Sequence, residues 1–112
     1  CTVLLDGKPV SSCATFAWQT DGMNVRTVEG LAAANGALDP VQQAFIENSA
    51  FQCGYCTPGM IMLARALLDR EPSPDRETIR VWMGANICRC TGYEMIIEAV
   101  EKAALIPLET GK

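Results

Sequence analysis

The sequence contains no histidine. That absence removes Cys/His zinc fingers, Rieske-type iron ligation and any histidine general base. Positive charge is also short: 9 Lys and Arg stand against 13 Asp and Glu, giving a formal charge of −4 and a pI near 4.7. Nucleic-acid binding rests on basic side chains that neutralise phosphates, so this balance argues against it. Long apolar runs are missing as well. Arg65 interrupts the longest one, Met60 to Leu68, and nothing approaches the length of a membrane span. No charged-then-apolar leader with a cleavage site stands out either. A soluble chain is expected.

Cysteine, by contrast, is abundant, with 6 in 112 residues. Four fall in two tight pairs, Cys53-Gly54-Tyr55-Cys56 and Cys88-Arg89-Cys90. A thiolate tetrad is the preferred shell for zinc or for an iron–sulfur cluster. Zinc knuckles more often use Cys-x-x-Cys, so the single residue between Cys88 and Cys90 leans toward a cluster with bridging sulfides. A structural zinc site in a non-redox interaction module stays open at this level. Three disulfides of a secreted scaffold would also use six cysteines. The dense apolar patterning opposes that reading, because the chain can fold without staples.

The length fits one domain, or one small domain plus a fragment. Apolar residues at 49% and charged residues at 20% are ordinary for a packed core. Near the start, Thr2–Leu5 reads as a strand, Asp6-Gly7 as a hairpin turn, and Pro9–Cys13 as the return strand. Val25–Val28 reads as a third strand, while Thr15–Thr20 has no clear period. Three short strands bury a sheet face poorly on their own, so weak support is expected before about Val28.

Helix punctuation is clearer from Asp39 onward. Asp39 as N-cap, Pro40 at the first helical position and Gln42 as capping-box partner predict a helix to about Ala50. Thr57-Pro58 opens a second, with Met60, Leu63, Ala64, Leu67 and Leu68 on one face, stopped by Glu71-Pro72-Ser73-Pro74. Asp75 caps a third, with Ile79, Trp82 and Met83 inward and an end near Gly84. The spacing Thr91-x-x-Glu94 predicts a capping box for a fourth, carrying Tyr93, Ile96, Ile97, Val100 and Ala104 to a stop at Pro107. Four amphipathic helices with short connections make a compact four-helix bundle. The cysteine pairs then precede the second and fourth helices. Helix N-termini favour anions, and a thiolate-ligated two-iron cluster is anionic. Gly54 and Gly92 leave room for backbone N–H groups near the sulfurs.

Two stretches carry a family resemblance. Phe51-Gln52-Cys53-Gly54-Tyr55-Cys56-Thr57-Pro58-Gly59-Met60 and Asn86-Ile87-Cys88-Arg89-Cys90-Thr91-Gly92-Tyr93 closely resemble the iron–sulfur small subunit of the molybdenum hydroxylases. That family includes xanthine dehydrogenase, aldehyde oxidoreductases and aerobic carbon monoxide dehydrogenase. The likeness extends to Cys1–Val10 and Thr27–Leu31, nearly the whole chain. It implies a mainly α fold: a four-helix bundle 2Fe–2S-binding domain over residues 29–107, preceded at 1–28 by a partial β segment of plant-type ferredoxin (β-grasp) kind. Residues 108–112 read as a tail.

The resemblance also implies roles. Cys53, Cys56, Cys88 and Cys90 would be the complete ligand set of one 2Fe–2S cluster. Cys1 and Cys13 would be the third and fourth ligands of a ferredoxin-type 2Fe–2S cluster. The first two ligands of that set are absent from this sequence, which reads as N-terminally truncated and leaves the site incomplete. Gln52 would contact the pterin of a partner's molybdenum cofactor, and Cys90 would face the same side. The implied activity is electron transfer, with no substrate chemistry on this chain. Electrons would run from a molybdenum–pterin centre on a large subunit toward FAD on a medium subunit or another acceptor, within a hetero-oligomer. A cytoplasmic location is expected, or export of the folded complex with a signal-bearing partner. Arg89 is either a solvated charge or a neutraliser of the cluster. Met60, Met62, Met83 and Met95 are expected as core filler, Trp18 and Trp82 as packing residues, and Glu94–Glu101 as a solvated face or part of a subunit contact.

Overall fold

A computed structural model describes residues 1–106. The expected stop at Pro107 and the tail 108–112 lie outside the described residues. Among those described, three short strands precede four α-helices.

The second helix, α2 (Thr57–Arg70, with α1 being Pro40–Glu47), forms the axis of the fold. Every residue from Gly59 to Leu68 is buried. The one-face reading of this helix therefore understated it, since Ile61, Met62 and Ala66 are inside as well. A helix apolar all round belongs in an interior. Here α1, α3 (Arg76–Met83) and two strands, β1 (Thr2–Leu5) and β2 (Lys8–Ser11), pack against it, while α4 (Glu94–Ala104) closes on α1 and α3. One apolar cluster runs through Phe45, Met60, Met62, Leu67, Ile79, Met83, Ile96 and Val100. The methionines expected as core filler are there, with Met95 packed at the edge.

Local chemistry sets the helix starts. Asp39 Oδ1 accepts the Val41 N–H at 2.8 Å, and Gln42 Oε1 accepts the Asp39 N–H at 3.0 Å, completing the capping box. The helix it opens ends at Glu47, earlier than Ala50, because Ser49 takes a left-handed φ of 51°. Asp75 Oδ1 accepts the Thr78 N–H at 2.7 Å and so caps α3, and that bond holds its carboxyl below the usual range. The capping box expected at Thr91 does not form. Helix α4 begins at Glu94 behind Tyr93, which sits at a left-handed φ of 72°.

Arg65 does not merely interrupt an apolar run. Its guanidinium is buried and reaches Asp39 at 3.1 and 3.3 Å and Asp69 at 3.0 Å. The same carboxylate therefore caps α1 and neutralises a charge inside α2.

The sheet has β1 in the centre, antiparallel to β2 and to β3 (Val25–Arg26). Both β2, Lys8–Ser11, and β3 are shorter than expected, and the stretch between them turns in short 3₁₀ segments at Ser12–Ala14 and Ala17–Thr20. Support for this segment is stronger than three isolated strands would have. Leu4 is 2% exposed and belongs to the central cluster, because β1 lies on α2. The two tryptophans part company. Trp82 is half-buried and its Nε1–H donates to the Leu63 carbonyl at 2.8 Å, whereas Trp18 is 74% exposed and stacks on Phe16. A local apolar-polar mixture cannot distinguish those outcomes.

On α4, Glu94 and Glu101 both pair with Arg76 of α3. The pairs are exposed and add little stability. They orient α3 against α4 more than they hold it.

Candidate metal centre

Cys53 and Cys56 lie on the turn that leads into α2, with Cys56 as its N-cap. Cys88 and Cys90 lie on the loop between α3 and α4. The two loops meet. Gln52 Nε2 donates to the Cys90 carbonyl at 3.2 Å, and the Cys56 and Cys88 thiols are hydrogen-bond neighbours. Cys56 and Cys88 are partly buried, while Cys53 and Cys90 are exposed and all four are free thiols.

Backbone geometry brings donors to the sulfurs. At Gly54, φ is +86°, a conformation natural to glycine, and it turns the next N–H, that of Tyr55, toward Cys53 Sγ at 3.5 Å. Around Cys88 the Thr91 N–H lies 3.5 Å from Sγ and the Thr91 hydroxyl 3.2 Å from it. Thr91, expected to cap α4, thus spends its hydroxyl on a cysteine; that oxygen also accepts the Tyr93 N–H at 3.1 Å. Tyr93, expected as a core-face residue, holds the loop from below. Its hydroxyl donates to the Asn86 carbonyl at 3.0 Å and accepts the Cys88 N–H at 2.9 Å.

These surroundings split the two inner thiols. Burial and the neighbouring Cys88 raise Cys56 from 9.0 to about 11, against a smaller opposing effect of the Thr57 hydroxyl. Burial also pushes Cys88 up, but hydrogen bonds from the Thr91 hydroxyl and from the backbone of Thr91 and Cys90 outweigh it, leaving the thiol at about 7. The Thr57 hydroxyl is itself buried and lacks a partner in good hydrogen-bond geometry. A buried donor beside a thiol is a costly arrangement that an anionic sulfur-rich group would relieve. Four thiols with convergent N–H and hydroxyl donors fit a thiolate-ligated cluster. Among the described residues, no three His, Cys, Asp or Glu side chains gather as one metal ion requires.

The matching family model is described as a 2Fe-2S binding domain and covers residues 27–101. The chain belongs to the 2Fe-2S binding domain family. The family expected from the cysteine motifs is thereby confirmed, and the zinc alternative finds no support. The chain is 51% identical over 100 residues to the nicotine 6-hydroxylase small subunit of Paenarthrobacter nicotinovorans, covering 89% of this chain and 59% of the relative. It is 50% identical over 103 residues to the nicotinate dehydrogenase small FeS subunit of Eubacterium barkeri, covering 92% and 65%. Among solved structures, quinoline 2-oxidoreductase from Pseudomonas putida 86 superposes with a TM-score of 0.87 at 46% identity, over 94% of this chain and 64% of that one. The chain therefore spans about three fifths of the length of these three relatives. A helical 2Fe-2S binding domain with a three-stranded sheet at its N-terminal side is the common fold.

The remaining expected site residues, Cys1 and Cys13, are both exposed. The Ser12 N–H donates to the Cys1 carbonyl at 2.7 Å, which places them at one end of the β1–β2 hairpin. Cys1 and Cys56 line one cleft of about 200 Å³. Arg89 is exposed. No helix among the described residues is long and apolar enough to cross a membrane.

Proposed function

We propose that this chain is the electron-transfer iron–sulfur component of a molybdenum-containing hydroxylase or dehydrogenase. In this reading it links a molybdenum–pterin centre on a large partner to FAD or another acceptor on a second partner, in the cytoplasm or exported with its complex. The observation that carries the reading is the meeting of the Cys53/Cys56 turn with the Cys88/Cys90 loop, inside a segment that matches the 2Fe-2S binding domain. The relatives named as small subunits of hydroxylases and dehydrogenases support it.

Cys53, Cys56, Cys88 and Cys90 would hold a 2Fe–2S cluster, which when bound supplies a one-electron acceptor and donor. The Tyr55 and Thr91 N–H groups and the Thr91 hydroxyl are placed to donate to the ligand sulfurs, which stabilises added negative charge and raises the potential. Cys1 and Cys13 would contribute to a second, ferredoxin-type centre. The discriminating experiment is anaerobic purification with co-isolating partners. Iron, visible absorption and a molybdenum-containing partner are expected; stoichiometric zinc without iron overturns the reading.

Gln52 and Cys90 form the side proposed to meet the partner's pterin. Since the Gln52 amide N–H already ties the two loops, its Oε1 is the atom available for a partner donor. Gln52→Ala should slow reduction of this centre by the molybdenum partner and hasten iron loss to a chelator. Rapid-reduction kinetics on the assembled complex reads this. An unchanged rate with unchanged molybdenum content would reduce Gln52 to a loop tie.

A further inference from the structure

We propose that Tyr93 is a positioning residue for the Cys53, Cys56, Cys88 and Cys90 site: it grips Cys88 by its amide and, through Thr91, by its sulfur, and so sets the reduction potential of the centre held there. The proposal rests on the iron–sulfur reading above. The Tyr93 hydroxyl has one proton and gives it to the Asn86 carbonyl at 3.0 Å, which leaves a lone pair to accept the Cys88 N–H at 2.9 Å. Both partners belong to the loop that carries the ligands, seven and five residues back along the chain. One ring thus pins the path into Cys88.

The second grip is made by the backbone. The Tyr93 N–H donates to Thr91 Oγ1 at 3.1 Å, and the same oxygen lies 3.2 Å from Cys88 Sγ. A ligand thiolate carries no proton, so the bond to it is made by the threonine O–H, whose single hydrogen is then aimed at sulfur. The Tyr93 N–H occupies a lone pair on the other side of that oxygen and holds the orientation. This arrangement requires Gly92 and Tyr93 to take left-handed φ values of 67° and 72° in succession. Glycine does so freely, whereas a tyrosine there is strained, and such strain persists where the surroundings hold it in place. The surroundings do: the ring packs on the apolar cluster, and the Tyr93 carbonyl accepts the Ile97 N–H of α4 at 2.9 Å. Thr91 then presents both its N–H, at 3.5 Å, and its O–H to Cys88 Sγ. Donors held on a ligand sulfur favour the more negative, reduced state of a cluster and raise its potential.

The test is a redox titration of the iron-loaded protein, followed by electron paramagnetic resonance. Tyr93→Phe keeps the ring and removes only the hydroxyl, so the loop loses its pin and the Thr91 donors lose their register on the sulfur. The midpoint potential of the helical-domain centre should move to more negative values and its resonance lines should shift. Iron loss to a chelator should quicken roughly tenfold, the scale of losing two ordinary hydrogen bonds. A tyrosine with a merely structural role would lower the unfolding midpoint and leave the potential unmoved. An unchanged or more positive potential in Tyr93→Phe therefore overturns the proposal. Thr91→Val should also lower the potential, while Thr91→Ser, which keeps the hydroxyl, should hold it near the unsubstituted value. If Tyr93→Phe fails to take up iron, this pair decides, and equal potentials in Thr91→Val and Thr91→Ser overturn the proposal. Unsubstituted protein without a 2Fe–2S signal overturns instead the underlying reading, before any variant is made.

Discussion

Replacing Cys88 by serine should bleach the helical-domain centre and leave little iron bound. Cys88 sits where the site is most tightly built. Its sulfur meets the Thr91 hydroxyl at 3.2 Å and lies beside Cys56, and its N–H is held by Tyr93. Serine keeps the size but gives up the thiolate, the form in which cysteine would serve as ligand in the proposed site. Because the proposed ligands come from the start of α2 and from the loop before α4, losing the centre should also remove a tie across the bundle. Cys13→Ser is the control, since Cys13 lies in the 3₁₀ turn after β2, outside this set. Visible absorption, iron content and near-ultraviolet circular dichroism should all fall in the Cys88 variant, and the helical-domain signal should survive in the Cys13 variant. Full iron retention after Cys88→Ser would remove Cys88 from the ligand set.

Arg65→Met should be the most damaging substitution away from the cysteines. The guanidinium is 3% exposed and the Asp39 carboxylate fully buried, so methionine removes the cation that faces a buried carboxylate. Breaking a buried pair in this way costs about 3–5 kcal/mol, more than the pair itself contributes over an apolar replacement. Two helices suffer together, because Asp39 is also the cap of α1 through Val41. Denaturant unfolding of the iron-loaded protein should show the midpoint falling accordingly. Adding Asp39→Asn should recover part of the loss, since asparagine still caps but carries no charge. A cost below about 1 kcal/mol for Arg65→Met would show that Asp39 finds other compensation.

Much of the local structure was legible because it depends on short-range chemistry. The Asp39–Gln42 box, the Asp75 cap and the Pro-rich stop after α2 are each written within a few residues. Thr91 shows the limit of such reading. Its spacing to Glu94 has the form of a capping box, yet its hydroxyl is engaged by the Cys88 sulfur and the Tyr93 N–H instead. The motif left two partners for one oxygen, and the loop's tertiary path chose between them.

The cysteine pairs, their spacing and the family they mark were determined by the sequence alone, as were the four helices, because ligand chemistry and apolar periodicity are local properties. Only the tertiary structure decided that α2 is surrounded on all sides, that Arg65 is neutralised inside it by the Asp39 cap, and that β1 is part of the central core. It also decided that Asn86, unremarkable beside Cys88, bonds to Thr2 beside Cys1. These outcomes join residues from distant parts of the chain. They depend on how helices and strands share buried surface, which no short window of sequence records.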